Sequence, residues 1–421
     1  MAKKAKHFAA EIITIGTELT TGRIIDSNSA LIAKILTSLG IQVQLHTQVP
    51  DNRRAIGQAL VLASKRSNLV LTSGGLGPTD DDITTSVITD LLGKELVRDK
   101  VSLENALNFL KKRNRAITKA DLKMVSIPKG AKILKNSNGM ALGYYLRYNS
   151  SWLLVTPAVP RELSMMLQNE IVPLLKNHIL PKNRENFASR IIRIFGLPES
   201  QVNRAVKRSQ IGQIFPEIQI GYQCSIPEIQ VILEIKNKQT PKTLEKILDQ
   251  AEKSLRAVLG DRIFGINDET LSEVVHQKLI KSKKTLAIAE SCTGGLLSAS
   301  LTDHPGSSQY FLGSVICYSN DSKIRDLGVP KELIENQGAV SKECALAMAK
   351  GIRKRFGSDM GLAITGIAGP DGGTKKKPVG LVFIATDLMG ELMTQKFHFR
   401  GKRHDIRGFG VYFALNHLRL F

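Results

Sequence analysis

Cysteine is scarce: four in 421 residues (Cys224, Cys292, Cys317, Cys344), with no Cys-x-x-Cys pair and no histidine at zinc-ligand spacing. That excludes a disulfide scaffold and a structural zinc site, and reduced thiols in a cytoplasmic compartment are expected. Aromatic residues make up only 5%, with one tryptophan, which leaves little for stacking on nucleic-acid bases. No apolar run reaches the roughly 18 residues of a membrane span, so no membrane partner is expected. The opening Met1-Ala2-Lys3-Lys4-Ala5-Lys6 is basic, but no long apolar stretch follows it, so it reads poorly as a secretion signal. Acidic residues are the remaining shortage, 38 against 59 Lys+Arg, for a net charge of +21.

That excess is spread evenly. Residues 1–170 carry a net +9, residues 171–262 a net +6 and residues 263–421 a net +6. A nucleic-acid reader focuses its charge into a patch, so nucleic acid is an unlikely partner. The densest run, Lys111 to Arg115 with Lys119 and Lys123, falls on a helix-like stretch and reads as a solvated face.

The length predicts two to four domains at roughly 100–200 residues each. Residues 1–170 alternate short apolar runs with amphipathic stretches: strands at 11–15, 41–45 and 69–72, helices at 29–39 and 56–64. Residues 171–262 read as a small α+β unit with a long amphipathic helix at 242–258. Residues 263–421 open with a helix at 270–280 and a strand at 285–289, then alternate again. The expected fold class is α/β: two parallel-sheet α/β domains joined by a small α+β middle domain.

Ligand sites in such folds lie in loops at the C-terminal ends of strands. In the third segment, Ala289-Glu290-Ser291-Cys292-Thr293-Gly294-Gly295 places Ser291 at a strand-to-helix turn, where free backbone N–H groups can hold an oxyanion. The competing reading is that Ser291 and Thr293 merely cap the helix. No histidine occupies a comparable turn, and His304, before Pro305, reads as a surface residue. A serine–lysine pair is the alternative, with Cys292 as a rival nucleophile one residue on. A second loop offers Tyr318 and Lys323 five residues apart. A third, Thr365-Gly366-Ile367-Ala368-Gly369-Pro370-Asp371-Gly372-Gly373-Thr374, exposes backbone amides to a phosphate or planar ring. Three such loops argue for one site. Arg403 and Arg407 stand four apart on a C-terminal helix, either as a solvated face or as a clamp on a phosphate.

The first segment has its own constellation. Gly16-Thr17-Glu18 ends a strand and Asn28 follows. A later strand runs into Ser73-Gly74-Gly75-Leu76-Gly77-Pro78-Thr79-Asp80-Asp81-Asp82. Backbone amides there suit a phosphate, and Asp81 or Asp82 suits a divalent metal. A helix cap at Thr79 or Asp80 explains the acids but not the glycines.

The run AESCTGG, Tyr318-Ser319-Asn320 followed by Lys323, Gly338-Ala339-Val340-Ser341, TGIAGPDGG and Lys377-Pro378-Val379-Gly380 together resemble the C-terminal domain of the CinA (competence/damage-inducible) family, over about the last 155 residues. The resemblance implies a nicotinamide-nucleotide amidohydrolase, which converts nicotinamide mononucleotide to nicotinic acid mononucleotide and ammonia without a cofactor. It implies Ser291 as nucleophile, Lys323 as base and Tyr318 as a relay or orienter of the proton. Glu290, Thr293, Gly294, Thr365, Gly366 and Gly369 would surround the substrate. The Gly-Thr-Glu and GGLGPTxDDxT stretches resemble the molybdopterin-binding-like domain of the same family, which implies a metal-dependent ADP-ribose pyrophosphatase. Two stretches depart from that pattern: Asn136-Ser137-Asn138-Gly139-Met140-Ala141-Leu142-Gly143 and Pro157-Ala158-Val159-Pro160. Phe195-Gly196-Leu197-Pro198-Glu199-Ser200 resembles the family's connecting domain. The implied whole is a homodimeric enzyme of pyridine-nucleotide salvage. A molybdopterin- or nucleotide-binding adaptor and a DNA-uptake accessory are the other readings.

Overall fold

The computed structural model describes residues 8–111 and 114–420. Lys112 and Arg113 of the basic run, and the opening Met1–Lys6, lie outside the described residues. The chain divides into two compact units, Met1–Ala188 with Ile235–Glu245, and Ser189–Glu234 with Lys246–Phe421.

The first unit is built on a six-stranded sheet in the order Gln42–Val49, Ala9–Ile15, Leu69–Ser73, Ser151–Thr156, Gly143–Tyr148, Lys132–Leu134. The first four strands are parallel and the last two antiparallel. The expected parallel sheet is therefore correct for its centre and not for its far edge. Ala9–Ile15 and Leu69–Ser73 are buried at every position, as strands covered on both faces must be. The edge strand Gln42–Val49 is largely exposed. Helices begin where side chains accept the free N–H groups: Asp26 from Ser29 before Ser27–Ser38, and Asn52 from Ala55 before Arg53–Arg66. The helix starting at Pro160 runs on through π-helical turns to Ile179. Ile171, Leu175 and Ile179 pack into this unit's core, so the expected division after residue 170 falls inside a continuous helical run.

A four-stranded sheet follows, in the order Ile218–Ser225, Glu228–Asn237, Asn186–Phe195, Ile263–Ile266, with helices Glu199–Arg208 and Pro241–Leu259. This is the expected α+β arrangement. Phe195 and Phe264 are buried in the same core as the C-terminal strands and helices of the second unit, and Phe195 meets Phe413 edge-on at 4.8 Å.

The C-terminal sheet runs Phe311–Ile316, Leu286–Glu290, Met360–Gly366, Leu381–Leu388, Glu391–His398. The first three strands are parallel, and a hairpin closes the sheet antiparallel. Its two faces differ in side-chain size. Leu286, Ile288, Leu362, Ile364 and Ile384 face helices Leu271–Ser282 and Arg403–Leu420. Ala287, Ala289, Ala363 and Ala385 face helix Lys342–Phe356. Period-two alternation of large and small residues lets that helix lie close to the sheet. At Gly361 a Cβ would sit 2.2 Å from the Ala349 carbonyl oxygen.

Gly361→Ala is therefore expected to lower unfolding stability by about 1–3 kcal/mol through overpacking. Gly408→Ala, on an open helical position with nothing within 4 Å, should raise it by about 0.5–1 kcal/mol. Chemical denaturation of the two variants checks both signs.

Candidate active site

Strand Leu286–Glu290 leaves the sheet between two parallel neighbours, and Ser291 is the first residue beyond it. Its N–H donates to the Ile364 carbonyl (3.0 Å), and Ser291 itself is buried. Gly294 and Gly295 take positive φ to turn the chain into helix Leu296–Thr302. Among the described residues the N–H groups of Cys292 and Thr293 donate to no other backbone group. They are the donors available to an oxyanion on an atom bonded to Ser291.

Lys323 is 1% exposed. It sits in the first turn of helix Asn320–Leu327, whose cap is Ser319. Its side chain runs back toward the start of that helix, as helical side chains do. Nζ lies 3.1 Å from Ser291 Oγ, 2.8 Å from the Cys317 carbonyl oxygen and 3.2 Å from the Tyr318 carbonyl oxygen. The two carbonyls can only accept, whereas the hydroxyl can donate or accept. Nζ donates to all three oxygens, and its 3.1 Å contact puts the Ser291 hydroxyl within proton-transfer reach of the amine. This geometry suits a general base.

Cys292 does not compete as nucleophile. Burial pushes its thiol up to about 11, and it stays protonated. Cys317 is likewise pushed up to about 11 by burial. All four cysteines are free thiols.

Glu290 takes a different place from the one expected. Its buried carboxylate accepts from the N–H groups of Gly295 (2.9 Å), Leu297 (3.3 Å) and Ser298 (2.8 Å) and from Ser298 Oγ (2.6 Å). It satisfies the free end of the helix and locks the turn that carries Ser291, rather than facing a substrate. Tyr318 also differs from expectation. Its side chain is 59% exposed, and its phenol oxygen meets Arg403 Nη2 at 2.7 Å, so it does not relay the proton between Ser291 and Lys323 in this geometry.

Arg403 is exposed and Arg407 half-buried, and both are tethered to the loops of the site. Arg403 bridges the second and third loops, donating to the Gly369 carbonyl (2.7 Å) and to Tyr318. Arg407 Nη2 donates to the Thr293 carbonyl (2.8 Å). Thr293 Oγ1 and Arg407 Nε are buried without a partner, which leaves polar capacity unused beside the serine turn. Thr365 Oγ1 donates to the Ala339 carbonyl (2.8 Å) and so ties the third loop to Gly338–Ser341. Gly366 lies against the Leu381–Leu388 strand, where a Cβ would come 2.7 Å from Val382.

In the first unit, the ends of adjacent parallel strands bring Gly16, Thr17, Glu18 and Gly74 together. Thr17 is held by Asp51 through its N–H (2.8 Å) and hydroxyl (3.0 Å). Asn28 Nδ2 bridges Ser73 Oγ (3.1 Å) and the Ala158 carbonyl (2.6 Å), while its Oδ1 is buried and unpartnered. Close packing already explains two of the glycines. A Cβ on Gly74 would lie 2.1 Å from the Ile15 carbonyl oxygen, and one on Gly75 2.0 Å from Thr84 Oγ1. Asp82 Oδ2 accepts from the Thr79 N–H (3.0 Å) and hydroxyl (2.6 Å), which holds the loop in place. Among the described residues no three His, Cys, Asp or Glu side chains gather into a metal-holding group. A pocket of about 220 Å³ beside Gly75 and Gly77 is lined by Arg98, Lys119 and Lys123. Lys119 is exposed, as the sequence suggested, and lies at the rim of this pocket, whereas Lys123 is half-buried and bonds the Thr79 carbonyl. Arg98 had no signal in the sequence at all.

These geometries define an α/β protein with a serine–lysine pair beside its C-terminal sheet. Comparison with known proteins agrees part by part. Residues 11–177 match the probable molybdopterin binding domain, 189–265 the damage-inducible protein CinA KH domain and 268–421 the CinA C-terminal domain. The chain is 39% identical over 410 residues to a CinA-like protein of Dictyoglomus thermophilum, covering 97% of this chain and 98% of that one. It is 39% identical over 413 residues to a putative competence-damage inducible protein of Thermoanaerobacter pseudethanolicus, covering 97% of each. A CinA superfamily protein of known structure from Klebsiella pneumoniae is 34% identical and covers 36% of this chain and 94% of its own, with a TM-score of 0.35. The chain belongs to the CinA family. No helix among the described residues is long and apolar enough to cross a membrane.

In native protein at pH 8, iodoacetamide is expected to label the exposed Cys224 first and to spare Cys292, whose thiolate fraction is about a thousandth. Mass mapping of a labelling time course checks this. Equal rates at the two thiols would contradict the assignment.

Proposed function

We propose that the C-terminal domain hydrolyses the carboxamide of nicotinamide mononucleotide, releasing nicotinic acid mononucleotide and ammonia. The observation that carries the reading is the buried Lys323 amine, 3.1 Å from Ser291 Oγ with its other two partners fixed as carbonyl acceptors. Ser291 Oγ attacks the carboxamide carbon while its proton passes to Lys323 Nζ. The C=O π electrons move onto oxygen, within reach of the Cys292 and Thr293 N–H groups. As the tetrahedral adduct collapses, the C–N bond breaks and Lys323 returns the proton to the departing nitrogen, giving ammonia and an ester on Ser291. Water repeats the sequence against the same amine, and the acid leaves. Glu290 acts only through the turn it holds. Arg403 and Arg407 stand where a substrate phosphate can be met, and the unpartnered Arg407 Nε and Thr293 Oγ1 supply donors on that side.

For the N-terminal domain the cationic pocket at Arg98, Lys119 and Lys123 supports binding of a phosphate-bearing ligand, ADP-ribose in the reading drawn from the family. Among the described residues no three His, Cys, Asp or Glu side chains gather to hold a divalent ion, so the reading for this domain is binding alone.

The test compares ammonia release from nicotinamide mononucleotide and from nicotinamide riboside, which lacks the phosphate. The expected result is turnover of the nucleotide with a kcat/KM about 30–100-fold above the riboside, the worth of roughly 2–3 kcal/mol of charge-assisted bonding. Arg407→Gln should narrow that gap by raising KM for the nucleotide alone. No ammonia from the nucleotide would overturn the activity. Equal use of both substrates would overturn the phosphate contacts.

A further inference from the structure

The arginines around helix Glu199–Arg208 fall into two groups. Arg190 is paired with Asp249 (2.5 Å) and Glu252 (3.0 Å), Arg193 with Glu228 (2.9 Å) and Arg256 with Glu252 (2.8 Å). Arg204, Arg208 and Arg262 make no side-chain hydrogen bond or ion pair among the described residues. These three converge, with Gln201, on one pocket of about 270 Å³ that no acidic side chain lines.

The convergence follows from the local fold. Val202, Ala205 and Val206 bury one face of the helix, which leaves Gln201, Arg204 and Arg208 along a neighbouring stripe at helical spacing. Arg262 enters from the turn after helix Pro241–Leu259, and Gly196 gives it room, a Cβ there lying 3.4 Å from its Nη1. Leu197, Val258 and Leu259 form an apolar wall. A cation in the last turn of a helix is ordinary, and that accounts for Arg208. It does not account for Arg204 or Arg262. All three are exposed around one recess without an acidic partner, an arrangement that favours an anion between them.

Guanidinium forks match the oxygens of a phosphate, and the pocket is large enough for a phosphate and part of an attached sugar. We propose that this pocket binds the phosphate group of a phosphate-bearing anion through Arg204, Arg208 and Arg262. The site is separate from both candidate active sites and does not rest on the amidase reading. The phosphate can be that of a mononucleotide or of a single-stranded nucleic-acid backbone.

The test uses the full chain with inorganic pyrophosphate as probe, read by calorimetry and thermal unfolding. The comparison is wild type against the double variant R204Q/R208Q, with Lys207→Gln, on the same helix but outside the pocket, as control. The double variant is expected to lose one equivalent of pyrophosphate and the matching part of the ligand-induced rise in Tm. Without ligand its stability should stay close to that of wild type, because both arginines are exposed. Lys207→Gln should keep the equivalent. An unchanged stoichiometry and Tm response in the double variant would overturn the proposal. Displacement of the lost equivalent in wild type by AMP identifies the mononucleotide source, and displacement by a short oligothymidylate at lower concentration identifies the nucleic-acid source. Displacement that persists in R204Q/R208Q would count against the pocket.

Discussion

A lysine amine closed off from water and ringed by three oxygens is the constraint around which the C-terminal domain is arranged. Two of those oxygens, the carbonyls of Cys317 and Tyr318, belong to the loop that starts the lysine's own helix. The third, Ser291 Oγ, belongs to the turn that leaves the neighbouring strand. The pair forms only if strands Leu286–Glu290 and Phe311–Ile316 lie side by side in register, with Glu290 opposite Ile316. The sheet thus sets the distance on which the chemistry depends. A slip of one residue would send Ser291 to the other face of the sheet.

Two further features hold that register. The alanine face lets helix Lys342–Phe356 lie against the sheet, while the leucine and isoleucine face buries the long C-terminal helix whose first turns carry Arg403 and Arg407. The buried Glu290 carboxylate ties the strand end to the helix after Ser291, four hydrogen bonds through one side chain. Removing an acceptor from such a buried set costs about 1–3 kcal/mol per orphaned donor, so the turn is rigid for an energetic reason. Rigidity here serves function, because a base must stay within hydrogen-bond reach of the proton it takes.

Much of this was legible in the residues. Apolar runs ending in glycine-rich loops marked the strand ends, and Ser291 and Lys323 stood in two of those loops. What stayed hidden depended on which neighbour a side chain chooses. Glu290 looked like a substrate contact because its position beside Ser291 was visible and the helix amides that claim it were not. Asp82 stood in the sequence as a metal candidate, and the bonds that Thr79, three residues away, makes to its Oδ2 were not visible there. The glycines of Gly74-Gly75 looked like a phosphate cradle, yet close approach to Ile15 and Thr84 already requires them. Carbonyl partners such as those of Lys323 leave no trace in residue identity at all. The antiparallel edges of both large sheets were also missed, since apolar runs give strand content without direction.

The +21 charge now separates into kinds of place. Part of it lines recesses, at Arg98, Lys119 and Lys123 and at Arg204, Arg208 and Arg262, and part reaches the serine turn through Arg403 and Arg407. Small anions are the ligands such recesses fit, while the remaining surface charge steers them weakly and is screened by salt. The central claim is that Ser291 and Lys323 act as one unit. It is tested most directly by ammonia-release rates of Ser291→Ala, Lys323→Met and the double variant. A unit predicts that each single change costs about a thousandfold or more in kcat and that the double variant is no slower than either single one. Losses that multiply in the double variant, or a Lys323→Met enzyme within about tenfold of wild type, would contradict it.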